Sequence, residues 1–338
     1  MRVASSLVSG LQPLPELAAT AVREALARAE LTRADSVLLF LTRDFARHAQ
    51  AALIAAARAA GSLQVSGCTA YGLFTEDGWL LDQSGAAALV VGETETAAGP
   101  GVPLLSFSGH GTLPWGWQTG APRAGLLDSD AAAWAHGRLA DDCCAETRLP
   151  GLRARIACAT GLRLLGEAIT VDAAAGYELQ RCSGLTAGDS LQRSLPAELR
   201  QNPPLHQIVV VVQPGLPGVP ILGLNGDGSL SLAAPLAAGT RIRWAIRQPL
   251  AAEQDMRQSL LAAVDSEKRP NFAVMFSCLG RGPLFYGNED RDLLAFREQF
   301  PDLPLIGAYG SGQIAPVDGE NRLFQNTVIT LLYESAHV

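Results

Sequence analysis

The sequence predicts an α/β fold with mixed α+β elements, in which two pseudo-repeated strand–helix–strand halves with mixed β-sheets flank a β-rich middle. Each half contains an apolar strand, a loop, a helix, a second strand, a loop with glycine at both ends, and a further strand. The glycine pairs are Gly67 with Gly72 and Gly307 with Gly312. Strand–helix–strand units are common, but the matching glycines favour an ancestral duplication over chance.

In the N-terminal half, the apolar run at residues 36–41 is typical of a buried strand. The alanine-rich residues 46–60 predict a helix, which Gly61 is expected to end. Residues 64–66 predict the second strand, and residues 86–91 predict the further strand.

The C-terminal half repeats this order. Residues 272–277 have the buried-strand pattern, and a helix is expected after Asn288, whose side chain can act as its N-cap. Acidic residues follow in the first turn, where the helix dipole favours anions. Pro301 is expected to end this helix, and residues 305–306 and 327–332 predict the later strands.

The middle of the chain is rich in predicted strands. Residues 208–212 and 240–246 predict single strands, and residues 222–232 predict a β-hairpin around an Asn-Gly pair. The Gln-Asn-Pro-Pro segment at residues 201–204 is the best candidate linker.

Composition excludes several classes of protein. The 338 residues carry a net charge of −7, and 48% are hydrophobic and 17% charged, which predicts a folded chain and argues against nucleic acid as a partner. No apolar stretch is long enough to cross a bilayer, and no signal peptide is recognised. The six cysteines form no C-x-x-C or zinc-type spacing, so we expect free thiols and a cytoplasmic protein.

A candidate binding site follows from the crossover topology. Ligands in such sheets bind beyond the carboxyl ends of the strands, where the loops of each half should meet. The predicted ligand-binding residues lie in these loops and are Cys278, Gly280, Arg281, Gly282, Tyr309, Gly310, Ser311, Gly312 and Gln313, with Cys68 and Thr69 in the N-terminal half. The equivalent N-terminal loops also contain Thr42, Arg43, Asp44, Ala70 and Tyr71.

The residue types in these loops allow several interactions. Glycines let backbone N–H groups approach a ligand closely, and Arg281 can clamp a carboxylate with two parallel bonds. Tyr309 offers an aromatic face and a hydroxyl group, and Cys278 can be a reactive thiolate if a cation lowers its pKa. The alternatives remain that the cysteine is a small buried hydrophobe, that the glycines only form turns, and that Arg281 pairs with Asp290 or Asp292.

These motifs resemble the FIST domain family. The segments Phe-Ser-Cys-Leu-Gly-Arg-Gly at residues 276–282 and Pro-Leu-Ile-Gly-Ala-Tyr-Gly-Ser-Gly-Gln-Ile at residues 304–314 are similar to its C-terminal signature. Ser-Gly-Cys-Thr-Ala-Tyr-Gly at residues 66–72 resembles the N-terminal signature. The resemblance implies a FIST N-terminal part over residues 1–200 and a FIST C-terminal part over residues 201–338.

The resemblance also implies a function. It suggests a sensory module that binds small ligands such as amino acids and acts through a separate signalling protein, without nucleic acid or membrane. Some family members bind haem and report nitric oxide, and a similar eukaryotic module lies behind an F-box. The family usually has glutamate after the last signature glycine, whereas this chain has Gln313 there and Leu73 at the matching N-terminal position, which weakens the case for an amino-acid ligand.

Three other functions stay open. The chain could be a cysteine-dependent enzyme that uses Cys278 with a histidine base, but no acid–base motif is recognisable, so a non-enzyme is favoured. Haem is the one cofactor considered, with His110 or His136 as axial ligand. The third is an interaction scaffold without a ligand, whose surface patch would contain Trp115, Trp117 and Trp134.

Overall fold

The structure is a computed structural model that describes residues 1–93, 102–213, 215–264 and 269–335. It divides the chain into two compact units. The larger unit comprises Met1–Ala159 and Met256–Val338, and the smaller comprises Thr160–Asp255. These units do not coincide with the predicted division after residue 200, which concerns the family parts and stays a prediction.

The N-terminal part of the larger unit holds its first strands and helices. The strands are β1 (Arg2–Gly10), β2 (Ser36–Thr42), β3 (Val65–Ala70), β4 (Gly72–Thr75), β5 (Gly78–Leu81), β6 (Ser84–Gly92), β7 (Leu104–Ser108), β8 (Arg123–Leu127), β9 (Ala133–Ala135), β10 (Arg138–Leu139), β11 (Cys144–Thr147) and β12 (Leu152–Ala159). The helices are α1 (Pro15–Arg28) and α2 (Ala49–Ala60), with short 3₁₀ turns at Arg43–Phe45 and Trp115–Trp117.

The remaining elements follow in two groups. The smaller unit contains β13 (Leu162–Ala175), β14 (Glu178–Cys182), β15 (Leu185–Thr186), α3 (Ala187–Ser194), β16 (Ile208–Val211), β17 (Val219–Leu224), β18 (Leu230–Leu232) and β19 (Arg241–Arg247). The unit boundary falls inside α4 (Pro249–Ala263). The larger unit then continues with β20 (Phe272–Cys278), α5 (Arg291–Gln299), β21 (Leu305–Gly310), β22 (Gly312–Val317), β23 (Glu320–Phe324) and β24 (Val328–Ser335).

Two sheets of the larger unit share one strand order. The first runs β1-β6-β2-β3-β9-β10 and the second β12-β24-β20-β21-β4-β5. In each, a parallel pair (β2 with β3, β20 with β21) is flanked by antiparallel strands. This agreement confirms the predicted α/β class with mixed sheets. The ancestral duplication stays a prediction that the shared strand order supports.

A third sheet, ordered β11-β7-β8-β22-β23, completes the larger unit. It takes β22 from the C-terminal half, while β4 from the N-terminal half pairs with β21 in the second sheet. Each half therefore sends the strand after its second signature glycine into a sheet that also contains strands of the other half. The predicted loops at residues 67–72 and 307–312 were wrong, because their residues continue the ladders of β3 and β21, where Gly67 pairs with Leu39 and Gly307 with Met275. Only Tyr71 and Ser311 separate these strands from β4 and β22.

The central core packs the inner faces of these sheets together. Phe40 of β2, Phe107 of β7 and Phe276 of β20 meet edge to face, with ring centroids 5.6–5.9 Å apart. Neighbouring residues such as Leu39 and Met275 point to the opposite faces of their sheets, because side chains alternate along a strand. There α1 and α2 cover the first sheet, and α5 covers the second.

The smaller unit is an antiparallel sheet ordered β13-β19-β16-β17-β18-β14-β15. Helix α3 packs its buried face on this sheet, where the indole N–H of Trp244 donates to Ser190 Oγ at 3.3 Å. The predicted hairpin is confirmed as β17 and β18, but its loop is longer than two residues because Asn225 N–H pairs with the carbonyl of Ser229.

Several predicted boundaries differ from those observed. Helix α2 begins at Ala49 rather than at residue 46, because Arg43–Phe45 form a 3₁₀ turn first. The N-cap of α5 is Asp290, whose carboxylate accepts from Leu293 N–H at 2.9 Å, so the prediction of Asn288 was wrong. Both Asn and Asp are good N-caps, and local sequence does not decide between neighbouring candidates. None of the described helices is long and apolar enough to span a bilayer.

Gly61 ends α2 as predicted, in the left-handed conformation with φ of 62°. We expect Gly61→Ala to lower the free energy of unfolding by about 1 kcal/mol, because a Cβ atom disfavours that conformation. Chemical denaturation of Gly61→Ala would measure this loss. Gly116→Ala, where a Cβ would meet no atom within 4 Å and φ is not positive, is the control and should leave stability unchanged. Equal stability of the two variants would contradict the assignment of Gly61 as a required cap.

Candidate functional site

The carboxyl ends of β2, β3, β8, β20 and β21 meet at one rim of the larger unit. The N–H of Tyr71, directly after β3, donates to the carbonyl of Tyr309 at the end of β21 at 3.1 Å. Gly312 is paired with Leu127, the last residue of β8. Within each half the strand ends lie together as the crossover predicted, with Thr42 paired to Ala70 and Cys278 to Gly310. The contact between the two halves and the position of the segment after β8 were not predicted.

Asp128, the residue after β8, is the buried centre of this rim. Asp128 is 1% exposed. Oδ1 accepts from the Ser311 hydroxyl at 3.0 Å, and Oδ2 is buried without a hydrogen-bond partner among the described residues. Such a group is costly to bury, and each instance in a native protein calls for an explanation.

The electrostatic environment of Asp128 is unusual for a carboxylate. Burial raises the pKa of Asp128 to about 6, and the Arg43 cation and the Ser311 hydrogen bond only partly oppose this shift. Burial, with a smaller contribution from Asp128, also raises the pKa of the Cys68 thiol well above its usual range. Cys68 is therefore held as a neutral thiol and is a poor nucleophile.

Three residues form the outer cover of the rim. The guanidinium of Arg43 lies 4.0 Å from the ring centroid of Tyr71 and donates to the carbonyl of Ser129. Arg43 is half-buried, whereas Tyr71 is 36% exposed and Ser129 is exposed. The cover thus places a cation and an aromatic face near the buried carboxylate.

Cys278 and Ser311 lie on the other side of this rim. The Cys278 side chain is 5% exposed, and its Sγ lies 3.9 Å from the Ser311 carbonyl oxygen. A Cβ on Gly280 would lie 2.8 Å from Asn326 Oδ1 and 3.8 Å from Cys278 Sγ, so this glycine permits close packing around the thiol. No histidine is among the contacts of Cys278 in the described residues, and nothing there supports a nucleophile–base pair.

Gln313 joins backbone segments behind the rim. It is fully buried, and with its amide oriented to satisfy both groups, its nitrogen donates to the Thr327 carbonyl and its oxygen accepts from Cys278 N–H, each at 3.2 Å. A glutamate could accept from Cys278 N–H but could not donate to Thr327 in its ionised form. The glutamine therefore stabilises the turn, and its role in ligand binding stays a prediction.

Arg281 is used inside the protein. Its guanidinium is 2% exposed and forms two parallel bonds to Asp292, each 3.0 Å, and also donates to the carbonyl of Ala159. The Tyr286 hydroxyl donates to the same Asp292 at 3.0 Å. The carboxylate clamped by Arg281 thus belongs to the chain itself, as in the alternative that the sequence left open. We therefore treat Arg281 as a positioning residue of the turn and not as a ligand contact.

Tyr309 is likewise engaged internally. It is fully buried, and its hydroxyl donates to Asp290, the N-cap of α5. Burial, together with the charge of Asp292, raises the pKa of Asp290 to about 6. Tyr309 therefore connects the signature strand to α5 and leaves its ring packed on Phe74, with centroids 4.7 Å apart.

The remaining predicted site residues also have local structural roles. Thr69 exchanges two hydrogen bonds with Ala132, at 2.8 and 2.9 Å. Three signature glycines allow close packing, because a Cβ on Gly282, Gly310 or Gly312 would lie 3.2, 2.7 or 2.7 Å from a neighbouring side chain. The role of these residues in ligand binding stays a prediction. Among the predicted residues, Ser311 donates a hydrogen bond to the buried Asp128.

Asp128 was missed by sequence reasoning. The available signal was a charged residue placed directly after the apolar run of residues 124–127, in the position where strand-end loops supply binding groups. That signal is weak by itself, because Asp is also a common turn residue.

The structure gives no support to the haem and scaffold alternatives. The rings of His110 and His136 lie at the surface, where they bond to the Asp142 carbonyl and to Gln64, outside the hydrophobic clusters that a haem pocket requires. The described residues contain no cluster suited to a metal ion. The predicted tryptophan patch was wrong, since Trp115 is 85% exposed but Trp117 and Trp134 are buried in the core.

Comparison with known proteins adds a domain match. Residues 187–316 match the model of the FIST C domain. Uncharacterized proteins from Mycobacterium tuberculosis and Mycobacterium bovis are each 28% identical over 200 residues, which cover 55% of this chain and 52% of theirs. F-box only protein 22 from Pongo abelii is 40% identical over 57 residues, 16% of this chain and 14% of that protein. The chain spans about half the length of the mycobacterial relatives that it matches.

The family match contains the C-terminal signature at residues 304–314 and the segment around Arg281, on which the predicted resemblance depended. The N-terminal signature lies outside the match, and its assignment stays a prediction. The FIST domain is a sensory domain, associated with signal transduction and with binding of small ligands. From the match over residues 187–316, we conclude that the chain carries a FIST C domain.

Proposed function

We propose that the protein senses a small molecule bound at the rim around Asp128 and reports the bound state to a separate signalling protein. The buried Asp128 carboxylate is the observation that carries the proposal, because its Oδ2 has no hydrogen-bond partner among the described residues. A donor group on a ligand would satisfy this oxygen and recover the free energy that its burial costs.

The charges at the rim indicate which ligand would fit. A protonated amine would pair with Asp128, since charge-assisted hydrogen bonds to carboxylates are among the strong ones. Arg43 and Tyr71, in cation–π contact at 4.0 Å, offer a guanidinium for an acceptor group and a ring for an apolar one. A small zwitterion meets both requirements. Asp128 thereby supplies the negative charge that Gln313 lacks at the family's usual glutamate position.

Access to Asp128 requires movement of the cover. Arg43 contacts the ring of Tyr71 and donates a hydrogen bond to the carbonyl of Ser129. That hydrogen bond is exposed to solvent and therefore weak enough to be replaced by a contact with a ligand. Entry of a ligand would therefore release Arg43 from Ser129 and shift the exposed loop after β8. A change of this kind at the surface is what a partner protein can recognise.

A thermal-shift screen with amino acids and small amines tests the proposal. We expect at least one compound to raise the melting temperature of the wild type. At a hundred times its dissociation constant, it should stabilise the folded protein by about 2.7 kcal/mol. Asp128→Asn should weaken that ligand at least about tenfold, because the charge-assisted hydrogen bond is lost.

Asp130→Asn is the matched control. Asp130 is exposed, lies two residues from Asp128, and has a positive φ that asparagine tolerates. This variant should bind the ligand as the wild type does. The proposal fails if no compound in the panel binds, or if the ligand found binds equally well to wild type and Asp128→Asn.

A further inference from the structure

A cleft of about 650 Å³ lies at the opposite edge of the first sheet. It is bounded by the amino ends of β2 and β3, by the segment after α2 and by the segment after β11. An adjoining cavity of about 350 Å³ shares Gly61, Ser62 and Leu63 with it. Together they fall in the size range of small-molecule sites, and they are separate from the rim around Asp128.

The charges that line these two cavities are mostly positive. Arg33 and Arg148 line the larger cavity and Arg58 lines the smaller, and Asp35 is the one acidic residue among their linings in the described chain. All three arginines are exposed, and none forms an ion pair within 4.0 Å with a described carboxylate. The linings therefore carry an excess of two positive charges on a chain whose net charge is −7.

Arg33 and Arg148 line the same cleft, and Arg58 lines the cavity beside it. Gly61 lies close to Arg33, since a Cβ built on that glycine would be 3.4 Å from Arg33 Cβ. Arg58 is three residues earlier on α2, and Arg148 follows β11 in the third sheet. The wall between the two cavities includes Leu63, which is 71% exposed and offers an apolar surface.

We infer that this cleft binds an organic phosphate monoester, with its phosphate held by Arg33 and Arg148 and its apolar body against Leu63. Guanidinium groups match phosphate oxygens through paired hydrogen bonds, and a phosphate dianion balances the charges of the two guanidinium groups that hold it. A monocarboxylate would leave one of those charges unbalanced. This site would act independently of the sensory rim and would give the protein a second ligand.

Isothermal titration calorimetry with adenosine 5′-monophosphate, inorganic phosphate and adenosine tests the inference. We expect the monophosphate to bind the wild type, inorganic phosphate to compete with it, and neutral adenosine to bind at least about tenfold more weakly. The double variant Arg33→Gln/Arg148→Gln should lose at least about tenfold in affinity for the monophosphate. The double lysine variant should retain part of the affinity, because it keeps the charges without the paired geometry.

Arg47→Gln serves as the control for general charge attraction, since Arg47 is exposed and follows the opposite end of β2. It should bind the monophosphate as the wild type does, and so should Asp128→Asn. Circular dichroism would establish that the glutamine variants are folded. The inference is overturned if neither phosphate compound binds the wild type at millimolar concentration, or if Arg47→Gln weakens binding as much as the double glutamine variant.

Discussion

Arg281→Ala is expected to lower the free energy of unfolding by about 3–5 kcal/mol, because it leaves Asp292 buried without its cation. Asp292 is 1% exposed and accepts two bonds from Arg281 and a third from the Tyr286 hydroxyl. Removal of the guanidinium also leaves the Ala159 carbonyl without this donor. Urea denaturation of the variant, monitored by circular dichroism, would measure the loss.

An exposed ion pair provides the control for this prediction. Arg322 and Glu320 are paired at the surface with side chains 50% and 51% exposed. Arg322→Ala should cost less than about 1 kcal/mol, since water solvates both charges when the pair is broken. If Arg281→Ala were as mild as Arg322→Ala, the buried ion pair would not be a stabilising element of the signature turn.

A double variant separates the charge from the packing. Arg281→Met combined with Asp292→Leu removes both ions together, and buried pairs replaced in this way by apolar residues often lose little stability. We expect the double variant to recover part of the loss seen in Arg281→Ala. A double variant less stable than Arg281→Ala would contradict the view that an unpaired Asp292 causes the loss.

Asp128→Asn is expected to change how stability depends on pH. The pKa of Asp128 is raised in the folded protein from 3.8 to about 6, so the folded state binds this proton more tightly than the unfolded state. Ionisation of Asp128 therefore destabilises the fold. The protonated form of Asp128 contributes favourably to stability at low pH, and this contribution is lost as pH rises from about 4 through 6.

The size of this effect follows from the shift. A change from 3.8 to about 6 corresponds to about 3 kcal/mol in total, of which about 2 kcal/mol falls between pH 4.5 and 7.5. Relative to wild type, Asp128→Asn should therefore gain about 2 kcal/mol of stability over that interval. Denaturation curves of both proteins at the two pH values would measure the difference.

Asp290 titrates in the same range, because burial raises its pKa to about 6 as well. The pH profile of the wild type alone therefore does not isolate Asp128, whereas its comparison with Asp128→Asn does. The exposed variant Asp130→Asn should move the wild-type profile only slightly, since the charge of Asp130 contributes much less than burial to the raised pKa of Asp128. If the stability difference between Asp128→Asn and wild type were the same at pH 4.5 and 7.5, the buried carboxylate would not be the titrating group.

Asp292 and Asp128 are buried carboxylates with contrasting environments. Asp292 has a permanent internal partner in Arg281, and the pair holds the turn after β20 in place. Asp128 has an oxygen without a described partner, and its charge weakens the fold at neutral pH. Sites that bind ligands often carry such a cost, because groups that serve a ligand are not optimised for the fold.

Much of the framework follows from local sequence. Continuous apolar runs identify β2, β20 and β24, Gly61 marks the end of α2, and the signature at residues 304–314 lies within the match to the FIST C domain. These features depend on neighbours in the chain, whose periodicity and backbone preferences are readable from the sequence. The adjacency of strand ends within each half also followed, because a crossover places them at one edge. The contact of Tyr71 with Tyr309 between the halves did not follow from the sequence.

The choice of partners at the site depended on the tertiary structure. Arg281 could have paired with a ligand, with Asp290 or with Asp292, and only the packing of α5 on the second sheet selects Asp292. Asp128 meets Ser311 across 183 residues of sequence, through the pairing of β8 with β22. Burial, which raises the pKa of Asp128, is a property of three sheets closing around one carboxylate, and no local pattern encodes it.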